Sequence, residues 1–304
     1  MSKILVSGLT NIETTLQVEG FPIPYFPVRY PFFGIRSLVA GVGYNVAKAL
    51  AVLGDEVHFA TMIGTDVAGG IVKRELASLG LSTAFVDEQM EQTAQSVILY
   101  DHEGQRQIHT DLKDIQTRSY PEARFEEALE GCSLAVLANI NFSRRFLQKV
   151  KERGIPIATD VHALHDLDDE YNRDFMAAAD VLFMSDARLP HPPEQWAAMV
   201  MERYAPEILV IGMGAQGALL SVRRDGFTGI FPAVMTRPVV NTIGAGDALF
   251  SAFVHFHNQT GAPYHSLRKA IAFASYKIGE DGAANGFLDE AALDVLYHEI
   301  AEGT

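Results

Sequence analysis

The residues with the clearest chemistry lie in Val240–Phe250, which reads VNTIGAGDALF. A strand-like approach leads into the turn Gly244, Ala245, Gly246, and an apolar helical pattern follows. A glycine-rich turn at a helix start presents free backbone N–H groups and the positive end of the helix dipole, which favours an anion such as phosphate. Asp247 is either a charge that stabilises the helix or a base that accepts a proton from an attacking hydroxyl. The local sequence leaves both interpretations open.

A second glycine-rich pattern is AGVGYNVAKALAVLG at Ala40–Gly54. Gly41 and Gly43 allow close approach of the backbone, and Asn45 opens an apolar helical pattern. Asparagine is a good helix N-cap. Its amide is also suited to hydrogen bonds with sugar hydroxyls, so both roles are compatible with the sequence.

Three further observations argue against a dinucleotide site, a P-loop and a zinc site. GMGAQG at 212–217 fits G-x-G-x-x-G, but the alternating ALLSVRRDGF after it predicts a hairpin turning at Asp225-Gly226, whereas a dinucleotide site needs a helix there. No Lys follows a Gly, so the P-loop motif is absent. An acidic loop could suggest a metal site, but the spacing of its histidines matches no zinc motif, so we predict that it is solvated. Its first residue, Asp160, follows a predicted strand and is expected near the phosphate region. The loop contains Asp160, His162, His165, Asp166 and Asp168.

The elements that must position these residues alternate between apolar strands and amphipathic helices. We predict strands at Ile4–Val6, Val57–Ile63, Leu134–Ile140, Ile155–Thr159, Val181–Met184 and Ile208–Ile211. We predict helices at Asn45–Leu53, Gly70–Leu79, Phe125–Leu129, Ser143–Arg153 and Pro193–Tyr204. Continuous apolar strands that alternate with helices indicate an α/β fold whose mostly parallel sheet is covered on both faces.

Two segments interrupt this alternation. Residues 14–40 contain six aromatic residues between Phe21 and Phe33, interleaved with prolines, and residues 93–111 alternate in period 2 with a predicted turn at HEG, 102–104. We interpret both as strands of a small sheet that covers a ligand or meets a partner, because apolar surface is rarely left exposed. We expect a single domain over 1–304 with this lid inserted.

Composition excludes several classes of function. The formal net charge is −14, with 24 Lys and Arg against 38 Asp and Glu, which argues against a nucleic-acid or anionic-membrane surface. No apolar run approaches the length of a membrane helix, and the N-terminus is predicted to be a first strand and no signal peptide. The single Cys132 indicates a buried thiol in a cytoplasmic protein.

Together, the motifs carry a resemblance to a known family. NTIGAGDALFSAF resembles the C-terminal signature of the ribokinase (PfkB-type) sugar and nucleoside kinases, usually DTxGAGD. AGVGYNVAKALAVLGDEV, followed by IGTDVAGG, resembles that family's N-terminal glycine motif, and SGLTNIE its first strand and loop. The resemblance implies a ribokinase-like three-layer α/β/α core with a small β-sheet lid, ATP as phosphoryl donor and Mg²⁺ as cofactor.

The resemblance also implies roles for individual residues. Asp247 matches the catalytic base, and the anion hole is matched by Gly244, Ala245 and Gly246. Contacts with the acceptor are implied for Asn11, Glu13, Gly41, Val42, Asn45 and Asn141. The nucleotide side is implied to include Ser185, Gly212, Gly214, Gly217, Ala274 and Ser275, with 282–286 flanking the adenine.

Three positions depart from the family pattern. Asn241 replaces the usual Asp, which leaves potassium activation open; ligands for a monovalent cation would come from Asn241, Ile243 and Gly282. The family's N-x-x-E motif, which organises Mg²⁺, is matched only by Ser185 and Arg188, with Asp186 as a possible substitute. Glu13 in place of Asp suggests an acceptor other than ribose.

We therefore predict ATP-dependent phosphorylation of a sugar hydroxyl. The aromatic lid residues suggest a nucleoside kinase as an alternative, because an aromatic face stacks on a base. The altered Mg²⁺ motif suggests a catalytically weak sugar-binding or regulatory protein as a second alternative. An exposed lid edge predicts a homodimer formed through the lid.

Overall fold

The computed structural model describes residues 2–103 and 105–302. Its strands are β1 Lys3–Ser7, β2 Asn11–Gln17, β3 Ile35–Ala40, β4 Glu56–Gly64, β5 Val86–Met90, β6 Gln95–Tyr100, β7 Arg106–Asp111, β8 Leu134–Leu137, β9 Ile157–Ala163, β10 Val181–Ser185, β11 Ile208–Gly212, β12 Ala218–Val222 and β13 Phe227–Phe231. Its helices are α1 Val42–Leu53, α2 Val67–Ser78, α3 Glu122–Leu129, α4 Asn141–Arg144, α5 Leu147–Glu152, α6 Arg173–Ala178, α7 Pro193–Tyr204, α8 Ala245–Thr260, α9 Pro263–Lys277 and α10 Glu290–Glu302.

Within these residues, nine strands form the large sheet in the order β13-β12-β11-β10-β9-β8-β1-β4-β5. All neighbours from β11 to β5 pair in parallel, and β12 and β13 add an antiparallel edge. The hairpin predicted at Asp225-Gly226 is confirmed, since β12 and β13 pair on either side of it. The parallel strands bring their carboxyl ends to one edge of the sheet, where ligands bind in open α/β folds.

Helices cover both faces of this sheet. Successive side chains of a strand point to opposite faces, and on β1 Ile4 and Val6 pack in one apolar cluster while Leu5 packs in the other. The first cluster includes residues of α1, α8 and α9, and the second includes Phe125 of α3 and Trp196 of α7. This arrangement confirms the predicted three-layer α/β/α core.

Most differences from the predicted elements lie at their ends. The helix at Pro193–Tyr204 has its predicted bounds, whereas α1 begins at Val42 rather than Asn45. The single helix predicted over Ser143–Arg153 is wrong, because the chain forms two short helices, α4 and α5. No helix within the described residues is both long and apolar enough to span a membrane.

A smaller sheet has the strand order β3-β2-β6-β7. β2 pairs antiparallel with β3 and parallel with β6, and β7 is antiparallel to β6. The strand interpretation is wrong for residues 18–34, which contain no strand, because four prolines in this stretch lack the N–H that a ladder requires. The predicted HEG turn includes Gly104, which lies outside the described residues.

The chain crosses from the core to the small sheet directly after β1 and returns directly before α1. At this crossing the start of α1 lies against the exit of β1, and a Cβ added to Gly43 would lie 2.4 Å from the carbonyl carbon of Gly8. Only glycine allows this approach. The close contact fixes the first turn of α1 against the carboxyl edge of the large sheet.

The close contact at Gly43 can be tested by adding one methyl group. Gly43→Ala should lower the free energy of unfolding by about 1–3 kcal/mol, because the new Cβ meets backbone atoms that cannot rotate away. Gly70→Ala is the matched control: it also lies in a helix, and the nearest atom to its added Cβ is 3.7 Å away. We expect the control to be neutral or stabilising in urea denaturation. Equal stability of the two variants would contradict the packing argument.

Candidate active site

Asp247 lies in the first turn of α8, three residues after Gly244, which caps the helix. Gly244 adopts a left-handed conformation with φ 75°, and a Cβ there would lie 2.1 Å from the carbonyl oxygen of Ala283. The N–H of Ala245 donates to Thr242 O at 3.2 Å. The N–H groups of Gly246 and Asp247 belong to the first turn, where the helix itself provides no hydrogen-bond acceptor for them. The start of α8 can therefore bind an anion.

The two glycine-rich motifs meet at this carboxylate. The Asn45 Nδ2 donates a hydrogen bond to Asp247 Oδ2 at 2.6 Å across a sequence separation of 202 residues. The N-cap interpretation of Asn45 is wrong, because Gly41 is the cap and Asn45 belongs to the first turn of α1. The amide thus orients the carboxylate of Asp247.

Two of the predicted acceptor-contacting residues have a buried amide oxygen without a partner. The Asn11 Nδ2 donates to Ser96 Oγ at 3.1 Å, while the Oδ1 atoms of Asn11 and Asn45 have no hydrogen-bond partner among the described residues. A buried acceptor without a partner costs about 1–3 kcal/mol. Both oxygens are therefore suited to accept hydrogen bonds from the hydroxyls of a bound ligand.

Glu13 brings a second carboxylate to the site from the small sheet. It lies on β2 opposite Leu38 and is only 9% exposed. Burial raises the pKa of Glu13 to about 7, the negative charge of Asp247 adds to the rise, and Lys277 and Arg106 oppose it. Burial likewise raises the pKa of Asp247, against the stabilising hydrogen bond from Asn45. Each carboxylate is therefore a better proton acceptor near neutral pH than an exposed one.

Two residues of the acidic segment after the fourth predicted strand lie near Asp247; Asp160 was expected near the phosphate region, whereas His162 was expected in a solvated loop. Asp160 and His162 belong to β9, and both act electrostatically on Asp247. The Asp160 Oδ1 accepts the backbone N–H of His162 at 2.8 Å, and His162 has a positive φ of 59°. Their position at the carboxyl end of a parallel strand was the signal for a ligand site. His165, Asp166 and Asp168 lie beyond the strand.

Asp160 also bears on where Mg²⁺ could bind. The described residues hold no group of three or more Cys, His, Asp or Glu side chains that could bind a metal ion. A single carboxylate still fits Mg²⁺, which keeps several waters and commonly uses one or two carboxylates plus substrate phosphates. Ser185 Oγ already accepts the N–H of Ala187 at 3.2 Å, which caps the short turn Asp186–Arg188.

The predicted nucleotide residues other than Ser185 lie on β11, on the turn that follows it and on α9. Gly212 ends β11, and a Cβ there would touch Leu249 of α8 at 3.8 Å. Gly214 opens a short helical turn that Gly217 ends with a φ of 101°. On α9, which also contains Ala274, the Ser275 hydroxyl donates to Val234 O at 2.7 Å and so fixes the segment that leads to α8.

The remaining predicted residues are placed as follows. Gly41 has a φ of 102°, and a Cβ there would lie 2.6 Å from Leu9 O; Val42 follows it as the first residue of α1. Asn141 begins α4, where its amide donates to Gln116 O at 3.0 Å. It forms hydrogen bonds with Gln116 and Arg144, and in this it differs from Asn45, which bonds Asp247.

Lys277 is a site residue that the sequence analysis missed. This last residue of α9 is fully buried, and its Nζ donates to Gly282 O at 2.7 Å and to Ile243 O. Burial lowers the pKa of Lys277 to about 8, and the charges of Asp247 and Glu13 oppose that fall. The carbonyls predicted for a monovalent cation thus accept hydrogen bonds from an ammonium group.

The raised pKa of Glu13 predicts a pH-dependent stability. Its pKa is about 7 in the folded protein against 4.5 as the ordinary value, so the folded state binds the proton more tightly. The free energy of unfolding should fall as pH rises from about 5 to 7, by up to about 3 kcal/mol from this group. Glu13→Gln should flatten this slope in urea titrations, whereas Glu19→Gln, at an exposed glutamate just after β2, should keep it. An unchanged slope in Glu13→Gln would refute the assignment.

Comparison with known proteins finds similarity along nearly the whole chain. The chain is 26% identical to acarbose 7(IV)-phosphotransferase of Actinoplanes sp., over 95% of this chain and 96% of that protein. It is 25% identical to deoxyribokinase of Salmonella typhi, over 93% and 95% of the two chains. Among solved structures, a microbiome-derived acarbose kinase superposes with a TM-score of 0.87 at 24% identity, covering 98% of this chain and 99% of that one.

The family assignment comes from the match along the chain. The model of the pfkB family of carbohydrate kinases matches residues 1–291, which include both glycine-rich motifs and every residue placed around Asp247. The fold expected for such kinases is the one observed, with a mostly parallel sheet and a small second sheet. This chain belongs to the pfkB family of carbohydrate kinases.

Proposed function

We propose that this chain transfers the γ-phosphoryl group of ATP to a hydroxyl group of a sugar, with Asp247 as the base. The observation that supports this role most strongly is the hydrogen bond from Asn45 to Asp247 at the start of α8. It aims a carboxylate of raised pKa at the place where a phosphate would meet free backbone N–H groups. An acceptor hydroxyl between the two can lose its proton to Asp247 as it attacks phosphorus.

The acceptor would lie between the small sheet and the carboxyl edge of the large one. Its hydroxyls would donate to the unpartnered amide oxygens of Asn11 and Asn45 and to Glu13. A sugar presents several neighbouring hydroxyls and fits this set of acceptors. The aromatic residues Tyr25, Phe32 and Phe33 are 85–96% exposed, so they give no support to stacking on a nucleoside base at this site.

The γ-phosphate would bind at the N–H groups of Gly246 and Asp247, and the nucleotide would extend toward Gly212 and Gly214. Mg²⁺ would be held by Asp160, directly or through water, and would neutralise charge on the phosphates. His162 would add positive charge beside Asp247 when protonated. The preorganised donors at the helix start would stabilise the charge that develops on the transferring group.

A panel of sugars and nucleosides assayed for ADP formation tests this proposal. We expect at least one sugar to be phosphorylated, and no nucleoside to be a better acceptor. Uniform inactivity with retained ligand binding would favour the sugar-binding or regulatory alternative and overturn the proposal.

The role of Asp247 is tested separately with the best acceptor. Asp247→Asn should bind ATP but lose about 10²–10⁴-fold in kcat, since it cannot accept the proton. Asp174→Asn serves as the control, because Asp174 is an exposed residue that pairs with Arg144. Turnover of Asp247→Asn near that of the control would remove Asp247 as the base.

We also propose that the protein is a cytoplasmic homodimer formed through the small sheet. All residues of β7 are exposed, and β7 is an edge strand that pairs with β6. An unpaired edge beside exposed apolar side chains is commonly covered by another chain, and here a second copy offers the same edge. Light scattering should give about twice the chain mass of 33.3 kDa; a species of 33.3 kDa alone at micromolar concentration would exclude the dimer.

A further inference from the structure

A buried ammonium group lies at the turn that precedes the anion site. Lys277 has no exposed surface, and its Nζ joins two carbonyl groups, Ile243 O just before the glycine cap of α8 and Gly282 O at 2.7 Å in the loop after α9. A buried charge is costly unless it is paired and hydrogen-bonded. Its position next to the carboxylates of Asp247 and Glu13 explains how the charge is tolerated.

The same two carbonyl groups are those at which a monovalent cation was expected. The structure does not fit such an ion, because both oxygens already accept hydrogen bonds from Lys277 and a second cation there would be repelled. Asn241 is also engaged: its Oδ1 accepts the N–H of Ile243 at 3.0 Å, and its Nδ2 donates to Glu280 O at 3.3 Å. Both polar atoms of the Asn241 amide therefore already have partners within this turn.

This arrangement also gives a physical reason for Asn241. A carboxylate at position 241 would help to attract a metal cation from solution. That attraction is unnecessary here, because the positive charge is the side chain of Lys277 on α9. The neutral amide of Asn241 instead closes the turn with one donated and one accepted hydrogen bond. Asn241 and Lys277 therefore act as two parts of one arrangement.

We propose that the Lys277 ammonium is a built-in substitute for a monovalent cation, which holds the carbonyls of Ile243 and Gly282 together and so positions the start of α8. Lys277 is a positioning residue, since it reaches the phosphate site through the backbone that carries Gly244. The effect on kinase activity rests on the proposed function, whereas the absence of a metal cation from this turn does not. It implies a kinase whose activity is independent of potassium.

The first experiment uses the unmodified protein. Phosphorylation of the best acceptor is measured in choline chloride and in potassium chloride at equal ionic strength. We expect the two rates to agree within about twofold. Activation of several-fold by potassium would overturn the proposal, because it would require a metal cation that the turn has no room to hold.

Two variants of Lys277 separate its charge from its volume. Lys277→Met keeps the volume and should lower kcat about 10–100-fold with no response to potassium, because Ile243 and Gly282 lose their donor. Lys277→Ala leaves space, so potassium or ammonium ions should restore about tenfold or more of its lost activity. Lys269→Met is the control on the same helix: it breaks the pair with Asp294 and should stay insensitive to potassium.

Thermal melting provides a readout that does not depend on catalysis. Potassium should raise the Tm of Lys277→Ala relative to choline by several degrees, and should leave the unmodified protein and Lys269→Met unchanged. If no sugar is phosphorylated, the proposed function fails while this measurement still tests the cation site. A Tm and activity of Lys277→Ala that are indifferent to potassium, or near-normal kcat in Lys277→Met, would overturn the inference.

Discussion

The site depends on one close backbone contact, between the start of α1 and the exit of β1. Because Gly43 lies against Gly8 with no space for a Cβ, the first turn of α1 reaches the carboxyl edge of the large sheet. Asn45 can then bond Asp247 at the start of α8. Two helix N-termini are thereby brought together at one carboxylate. The amide oxygen of Asn45, the residue bonded to that carboxylate, has no partner among the described residues and is left for a ligand.

Charge at the site is organised within the fold and does not depend on the overall composition. The chain carries a net charge of −14, yet the phosphate site that we propose would use backbone N–H groups at a helix start, with the buried ammonium of Lys277 positioning that start. Burial raises the pKa of both Glu13 and Asp247, the charge of Asp247 adds to the rise at Glu13, and the charge of Lys277 opposes the rise at both. A surplus of surface Lys and Arg is therefore unnecessary for binding phosphate.

The small sheet contacts the loop after α9, which carries one of the acceptors of Lys277. Arg36 of β3 pairs with Asp281, and Leu38 of the same strand lies against Gly282, where an added Cβ would be 2.8 Å from its Cδ1. Gly282 O is one of the acceptors of Lys277. The sheet that carries Glu13 thus contacts the same loop that Lys277 ties to the start of α8, so the acceptor and phosphate sides of the site share one support.

The sequence by itself determined the alternation of strands and helices, the helix at Pro193–Tyr204 and the two glycine-rich motifs, because apolar periodicity and turn chemistry act over a few residues. It left the role of Asn45 open and did not single out Lys277, since a Lys at a helix end is ordinary. It placed Asp160 at a strand end near the phosphate region but did not connect it, or His162, with Asp247. Only the tertiary structure decided these three, because each depends on groups far away in sequence: Asp247 lies 202 residues from Asn45, and burial converts a common lysine into a fixed internal cation.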